Sequence, residues 1–145
     1  MSKKNERHEA IRKLVRSKTI RTQGQLVEEL KNLGFNVTQA TVSRDIAQLG
    51  LEKITGEDGK SVYILAEDRH LRRMCEDLVL WARESGNLVV VKTTPGGASS
   101  VAQAVDAARW EEVVGTVSGD DTFLIVAVGE EEAKEVARRI RQLAG

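Results

Sequence analysis

Three apolar stripes with helical spacing dominate the first third of the chain. Within each stripe the apolar side chains recur every three or four positions, which places them on one face of an amphipathic helix. The pattern predicts helices over residues 5–17, 22–33 and 38–50 that pack on one another through these faces. The stripes are formed by Ile11, Leu14 and Val15, by Leu26, Leu30 and Leu33, and by Val42, Ile46 and Leu49.

The junction between the second and third helices carries residues that typically end and start helices. Thr22 is suited to be an N-cap, and Gln25 three residues later completes a capping-box pattern. Gly34 occupies the position of a C-cap glycine, and Thr38 is suited to cap the next helix. Two short helices joined by a tight glycine turn predict a helix-turn-helix.

The outer face of the third helix is small and polar, with one cation near its middle. At about 100° per residue, Ala40, Ser43, Arg44 and Ala47 cluster opposite the apolar stripe. This face has little bulk to keep it away from a flat surface, and the guanidinium of Arg44 is a fork-shaped donor suited to guanine. The face therefore predicts a recognition helix for the DNA major groove.

A hairpin is predicted directly after the third helix. Ile54 and the pair Val62 and Ile64 alternate with polar residues, and Asp58-Gly59 is a strong turn signal. By itself this ribbon would be ordinary structure. After a recognition helix it is interpreted as a wing, which would bring Lys53 and Lys60 near DNA phosphates.

The second half alternates helical and strand patterns. We expect a helix over residues 69–84, with Leu71, Met74, Leu78 and Trp81 on one stripe and Cys75 as a buried packing residue. The following segments predict a β-α-β-β-α order, which indicates helices on one face of a mainly antiparallel sheet. Because such a domain is small and its strands are rich in valine, we expect it to form oligomers. The segments are NLVVVKTT, VAQAVDAARW, EVVGTV, TFLIVAV and EEEAKEVARRIRQLA.

The charge distribution separates the two halves at about residues 65–68. Residues 1–66 contain 12 Lys and Arg against 8 Asp and Glu, whereas residues 67–145 contain 10 against 14. A basic first half suits a polyanion, and an acidic second half does not. We therefore predict an α+β protein with two domains: a winged helix-turn-helix DNA-binding domain in residues 1–66, and an α/β oligomerisation and ligand-binding domain in residues 67–145.

Carboxylates in the second half are candidates for a ligand site. Asp120 and Asp121 are adjacent, and Asp106 lies on the preceding helix with Gln103 one turn before it. Adjacent carboxylates repel unless a cation is supplied, so a guanidinium or ammonium ligand held between subunits fits them. Backbone N–H groups of residues 94–98 would then meet the carboxylate of the ligand. A solvated hairpin tip and a metal site of the three aspartates are the alternatives.

Several function classes are disfavoured. No stretch is long and apolar enough to cross a membrane, and the N-terminus lacks the apolar core of a signal peptide, so we expect a cytoplasmic protein. A single cysteine forms no internal disulfide and anchors no zinc. The histidines, His8 and His70, lie outside the aspartate region, and no nucleophile–base pair is visible. We therefore expect no enzyme activity, no catalytic residue, no metal and no cofactor.

Taken together, the motifs resemble those of the bacterial arginine repressor family over nearly the whole chain. TQATVSRDIAQLGLEK is similar to the recognition-helix motif of that family, and TTPGGASSVAQAVD with VGTVSGDDTFLIV is similar to its two ligand-domain motifs. The resemblance implies a winged-helix domain and an α/β domain whose trimers stack in pairs into a hexamer, with L-arginine at the trimer–trimer interface. It implies a regulator that binds palindromic operators of arginine metabolism genes with L-arginine as corepressor. In the family mostly biosynthetic genes are regulated, and some members activate catabolic genes.

The resemblance also assigns residues. It implies that Ser43 and Arg44 contact double-stranded operator DNA, with Gln39 and Thr41 nearby. It implies that L-arginine is held by Gln103, Asp106, Asp120 and Asp121, with backbone help around Thr116 and Ser118.

Three other functions fit parts of the sequence. A related repressor would sense another small molecule such as ornithine, citrulline or a lysine derivative. A metal-dependent enzyme with a DNA-binding appendage would use the aspartates as ligands. An architectural DNA-binding oligomer would show no effect of a ligand on its affinity for an operator.

Overall fold

The computed structural model describes residues 2–56 and 58–145. The chain divides into two compact units, Met1–Ala66 and Glu67–Gly145. The first unit contains α1 (Lys3–Ser17), α2 (Gln23–Asn32), α3 (Gln39–Leu49), β1 (Leu51–Thr55) and β2 (Ser61–Leu65). After them come α4 (Ala66–Leu78), β3 (Val79–Ser85), β4 (Leu88–Thr93), α5 (Ala98–Ala108), β5 (Val113–Ser118), β6 (Thr122–Ala127) and α6 (Glu130–Ala144).

The predicted N-caps of α2 and α3 are confirmed. The Thr22 hydroxyl accepts the N–H of Gln25 at 3.0 Å, and the Thr38 hydroxyl accepts the N–H of Thr41 at 3.2 Å. The side chain of Gln25 reaches one residue further back than a standard capping box, because its oxygen accepts the N–H of Arg21 at 2.9 Å. Each helix start thus has a side chain that satisfies a backbone donor.

The turn between α2 and α3 is a Schellman motif. Gly34 has φ +92°, the left-handed conformation that glycine adopts without strain. Its N–H donates to the Lys31 carbonyl at 2.9 Å, and the N–H of Phe35 donates to the Leu30 carbonyl at 3.0 Å. The prediction that Leu33 lies on the inner stripe is wrong: Leu33 caps α2 and is exposed. Val27, which lies outside the predicted stripe, is buried in the core.

The wing is an antiparallel hairpin of β1 and β2, with Ile54 opposite Val62. In its turn Gly59 has φ +79° and the N–H of Gly56 donates to the Lys60 carbonyl at 2.8 Å. Helices and hairpin share one core, which confirms the winged helix-turn-helix. Its buried members are Ile11, Leu14, Ile20, Leu26, Val27, Leu30, Val37, Val42, Leu51 and Leu65.

The helix predicted over residues 69–84 is wrong in its second half. Helix α4 ends at Leu78, and residues 79–85 form strand β3, with Trp81 exposed. The spacing of Leu78 and Trp81 imitates a helical stripe, but the chain from Val79 pairs with β4 through a hairpin turn at Gly86, where φ is +58°. Cys75 is buried as predicted, and burial raises the pKa of its thiol to about 12, so the thiol stays protonated.

The second unit is an antiparallel sheet in the order β3-β4-β6-β5. Alternate side chains of its central strands are buried on the face that packs against α5 and α6, which confirms the α+β architecture. These inward side chains are Val89 and Val91 of β4 and Phe123, Ile125 and Ala127 of β6.

The opposite face of the sheet leaves apolar side chains accessible. Val90 and Leu124 pair across β4 and β6 on this face, and Val117 lies opposite Leu124. Val117 is 66% exposed and Trp81, on the edge strand, is 49% exposed. Apolar patches of this kind are common at sites of interaction. No helix in the described part of the chain is long and apolar enough to cross a membrane.

Candidate functional site

The outer face of α3 holds the four residues predicted to contact DNA. Gln39, Ser43 and Arg44 are exposed. Thr41 is half-buried, and its hydroxyl lies 3.1 Å from the hydroxyl of the N-cap Thr38. All four lie in the first two turns of the helix. The N-terminal turns of a recognition helix are the part that reaches base edges in the major groove.

The start of α3 is also tied to α2. The side-chain amide of Gln23 donates to the Gln39 carbonyl at 2.9 Å. This bond joins the first turn of α2 to the first turn of α3, which is the end of α3 that carries the predicted DNA contacts.

The inner face of α3 contains a residue that sequence reasoning missed, Asp45. It is 1% exposed and lies between Val42 and Leu49 on the packed side. Burial raises the pKa of its carboxyl, but hydrogen bonds from Arg7 and His8 of α1 outweigh burial and leave the pKa below its ordinary value. A charged residue three positions after Val42 interrupts the apolar stripe of α3, and this interruption is the sequence signal that could have identified Asp45.

Lys53 and Asp58 of the wing both have charged or aromatic partners. The Lys53 ammonium lies 5.1 Å from the centroid of the Tyr63 ring, a cation–π distance. The Arg21 guanidinium binds the Asp58 carboxylate at 2.6 Å, and the N–H of Lys60 donates to the same carboxylate at 3.0 Å. The Lys60 N–H and then Arg21 lower the pKa of Asp58. Arg21 therefore ties the turn of the wing to the segment after α1.

In the second unit, Asp106 is bound by Thr116. The Thr116 hydroxyl lies 3.1 and 3.0 Å from the two carboxylate oxygens of Asp106. This bond joins α5 to β5. Asp106 and Gln103, one turn earlier on α5, are both exposed.

Asp120 is bound by the turn that precedes α5. The N–H of Gly96 donates to the Asp120 carboxylate at 3.3 Å, and the N–H of Ala98 donates to its carbonyl at 3.2 Å. The N–H of Gly97 donates to the Thr94 carbonyl at 3.0 Å. These three N–H groups were expected to meet a ligand carboxylate, but they already donate within the chain.

Backbone conformation and close contacts require glycine at two positions of this turn. Gly96 has φ +79°, and a Cβ on Gly97 would lie 3.1 Å from the Thr94 carbonyl oxygen. Glycine at both positions therefore builds the tight turn that holds Asp120.

Asp121 is paired with a lysine that sequence reasoning missed. The Lys92 ammonium of β4 lies 2.6 Å from one carboxylate oxygen, and the Thr122 hydroxyl lies 3.1 Å from the other. The Lys92 hydrogen bond, followed by that of Thr122, lowers the pKa of Asp121. Asp120 and Asp121 thus face different elements, as expected for neighbours in an extended segment.

The predicted ligand residues of one chain do not converge on one point. Asp120 binds the start of α5, whereas Asp106 lies eight residues beyond Ala98 on that helix, a rise of about 12 Å. Ser118 is exposed at the end of β5. In residues 2–56 and 58–145 no group of three or more His, Cys, Asp or Glu side chains is arranged to hold a metal ion.

Two known protein families match the chain, one in each part. Residues 2–71 match the family described as the arginine repressor DNA-binding domain. Residues 75–142 match the family described as the arginine repressor C-terminal domain. Together the matches extend over both compact units.

Whole proteins show the same similarity. The chain is 46% identical to an arginine repressor of Pelotomaculum thermopropionicum, over 98% of this chain and 99% of that one. It is 49% identical to an arginine repressor of Thermus thermophilus, over 92% and 86% of the two chains. It is 42% identical to one of Staphylococcus epidermidis, over 99% of each. These findings confirm the expected class, a DNA-binding transcription regulator and not an enzyme, and the chain belongs to the arginine repressor family.

Proposed function

We propose that this protein is an arginine-dependent repressor, which binds palindromic operators of arginine metabolism genes and takes L-arginine as its corepressor. One observation carries the choice of ligand. Asp106 and Asp120 are exposed carboxylates whose hydrogen bonds come from a threonine hydroxyl and a backbone N–H, and among the described residues neither has an ion-pair partner. A ligand with a guanidinium and an ammonium group supplies the missing positive charge.

The ligand is proposed to lie between copies of the chain. Because Asp120 is bound at the start of α5 and Asp106 lies near the end of that helix, a small ligand that engages the whole set takes its contacts from more than one subunit. Asp121 joins the set when a ligand cation displaces Lys92. We propose Gln103 as a side-chain partner of the ligand, with the backbone around Thr116 and Ser118 as further contacts.

The accessible apolar sheet face supports assembly. A unit of this size has a small core of its own, and covering Val90, Leu124 and Val117 with other copies removes apolar surface from water. We propose a hexamer made of two stacked trimers, with L-arginine at the interface between the trimers. An arginine molecule held there strengthens the assembly that it joins.

In the first unit we propose that Ser43 and Arg44 contact the edges of bases, and that Gln39 and Thr41 contact the backbone or bases beside them. Paired units related by a two-fold axis require inverted repeats in the operator. An oligomer carries several such units, so binding of one raises the effective concentration of the next. We propose that the protein acts in the cytoplasm, where its operator lies, without any cofactor apart from the ligand.

The proposal is tested by calorimetric titration of the full chain with L-arginine, ornithine, citrulline and lysine. We expect L-arginine to bind most tightly, and the D120N variant to bind it at least about tenfold more weakly, because a charge-assisted hydrogen bond contributes about 1.5–3 kcal/mol. D77N is the matched control, since Asp77 is an exposed carboxylate on α4 outside the proposed site. Undiminished arginine binding by D120N would remove Asp120 from the site, and preference for another compound would replace the proposed ligand.

A further inference from the structure

Asp45 occupies a position where the helical pattern of α3 calls for an apolar residue. It follows Val42 by three positions, and both side chains are buried in the first unit. A buried carboxylate costs several kcal/mol unless it is paired and its oxygens are hydrogen-bonded. Whether Asp45 stabilises or destabilises the first unit therefore depends on the groups that pair with its carboxylate.

Two adjacent residues of α1 satisfy both oxygens of Asp45. The Arg7 Nε atom lies 2.5 Å from Oδ2, and an Arg7 Nη atom lies 2.9 Å from Oδ1. The His8 Nε2 atom lies 2.8 Å from Oδ1. The Arg7 contact is bidentate, so it fixes the orientation of the carboxylate as well as its distance.

Stability alone does not call for this arrangement. A well-packed apolar residue at the same position commonly holds two helices together as well as a buried ion pair does, or better. The ion pair adds defined geometry instead. An apolar contact tolerates small rotations of a helix, whereas three directed hydrogen bonds lose strength when their angles change.

The residues proposed to read DNA directly precede this anchor. Ser43 and Arg44 are exposed, and they lie two positions and one position before Asp45. Rotation or sliding of α3 would carry both side chains with it. Base-edge contacts require hydrogen-bond geometry within a few tenths of an ångström, so the orientation of α3 controls sequence readout.

We propose that the Arg7–His8–Asp45 cluster is a positioning device, which sets the rotation and axial position of α3 so that Ser43 and Arg44 meet their bases. This inference rests on the proposed role of those two residues. Asp45 itself touches no DNA and acts through the helix that carries it. The cluster therefore contributes to sequence specificity rather than to general attraction for DNA.

Two effects of removing the Asp45 carboxylate on DNA binding must be distinguished, and they have opposite signs. Loss of one negative charge from the DNA-binding unit favours binding to any duplex, because phosphate attraction is independent of sequence. A positioning role predicts that binding to the preferred sequence weakens while binding to other sequences does not. The ratio of the two affinities separates these effects.

The experiment uses the full chain and a duplex that the unmodified protein selects from a random-sequence pool in the presence of L-arginine. Binding of each variant to this duplex and to a scrambled duplex of equal composition is measured at one salt concentration. We expect D45N to lower the ratio of selected to scrambled affinity by about tenfold, because the loss of one bidentate base contact has an effect of this order. The affinity for the scrambled duplex should stay unchanged or become tighter. E28Q, which removes an exposed carboxylate of α2 in the same unit, should keep the ratio.

A second variant protects the test from a folding failure. R7K keeps the positive charge but cannot form the bidentate contact, so we expect a smaller fall of the ratio with the circular dichroism spectrum unchanged. An unchanged ratio in folded D45N or folded R7K overturns the positioning role. Equal losses on both duplexes overturn it as well, because they indicate general damage. If the unmodified chain selects no sequence, both the proposed base contacts and the positioning role are wrong. If only R44A keeps an unchanged ratio of selected to scrambled affinity, Arg44 alone is rejected as a base contact.

Discussion

The two units of this protein differ in the surface that each leaves accessible. The first unit closes its core with three helices and a hairpin, and it exposes a small polar helix face around Ser43 and Arg44. The second unit covers one face of its sheet with α5 and α6 and leaves apolar side chains such as Val117 accessible on the other. One surface suits a polyanion, and the other suits further copies of the chain.

The carboxylates show the same contrast. In the first unit the buried carboxylate of Asp45 pairs with the Arg7 guanidinium and lies within hydrogen-bond distance of the His8 ring. In the second unit Asp106 and Asp120 are exposed and accept hydrogen bonds only from neutral groups among the described residues. The first unit thus uses Asp45 to fix its own structure, whereas the second unit keeps Asp106 and Asp120 without an ion-pair partner among the described residues. This difference is why we place the ligand in the second unit and the DNA on the first.

The largest expected effect comes from removing one core side chain in each unit. We expect F123A to destabilise the second unit by about 3–5 kcal/mol and L26A to destabilise the first by about 2–5 kcal/mol, through lost burial and a cavity. Both residues are fully buried. Trp81 and Trp110 lie in the second unit, so urea unfolding followed by tryptophan fluorescence should detect F123A and not L26A. A shift of the fluorescence transition in L26A would show that the units unfold as one.

Loss of the Arg44 guanidinium should act on one unit alone. We expect R44A to weaken operator binding by about 1–3 kcal/mol if the side chain pairs with guanine in two hydrogen bonds. Calorimetric arginine binding should stay the same, because the ligand residues lie in the second unit. Footprinting that shows unchanged protection by R44A would remove this residue from base readout.

Acid should destabilise both units because each contains a part-buried ion pair whose carboxylate has a lowered pKa. Burial raises the pKa of Asp45, but hydrogen bonds from Arg7 and His8 hold it below its ordinary 3.8. In the second unit burial likewise raises the pKa of Glu112, but hydrogen bonds from Arg139 hold it below its ordinary 4.5. Depressed values mean stabilisation that is complete above the ordinary pKa and lost as the pH falls through the folded one.

Each of these carboxylates contributes at most about 1.4 kcal/mol per pH unit within that window. Urea unfolding at a series of acid pH values, followed by fluorescence and circular dichroism, measures the two units separately. The D45N variant should flatten the pH dependence of the first unit only. An unchanged dependence in D45N would mean that the Asp45 pair does not contribute to acid sensitivity.

The smallest expected effect is that of a helix cap. We expect T22A to destabilise the first unit by about 1 kcal/mol, because the N–H of Gln25 loses its acceptor at the start of α2. Thermal unfolding by circular dichroism should show the loss, and T22S should restore most of it. A loss in T22S as large as that in T22A would argue against the hydroxyl as the cause.

Local signals in the sequence were sufficient for most elements of the fold. Caps such as Thr38, the turn glycine Gly34 and the valine-rich strands act over a few residues, so they can be recognised without tertiary structure. Strand β3 was missed because Leu78 and Trp81 follow a helical spacing while the chain between them changes to a strand that pairs with β4. Pairing of this kind depends on a partner elsewhere in the chain.

For the candidate sites, as for the fold, the sequence identified local features but not long-range partners. The exposed residues of α3 and the aspartates of the second unit stand out by type and spacing. Their partners do not: Arg7 lies 38 positions from Asp45, and Lys92 lies 29 positions from Asp121. Such long-range pairs become visible only when the fold brings their elements together.

The central claim is that arginine bound by the second unit changes how tightly the first unit binds DNA. The most direct measurement is the affinity for the selected operator duplex at fixed salt, with and without saturating L-arginine. We expect L-arginine to raise this affinity by about 5-fold to 150-fold, the usual range of coupling between two sites, with a smaller effect on a scrambled duplex. Equal affinity for the operator with and without L-arginine would contradict the account.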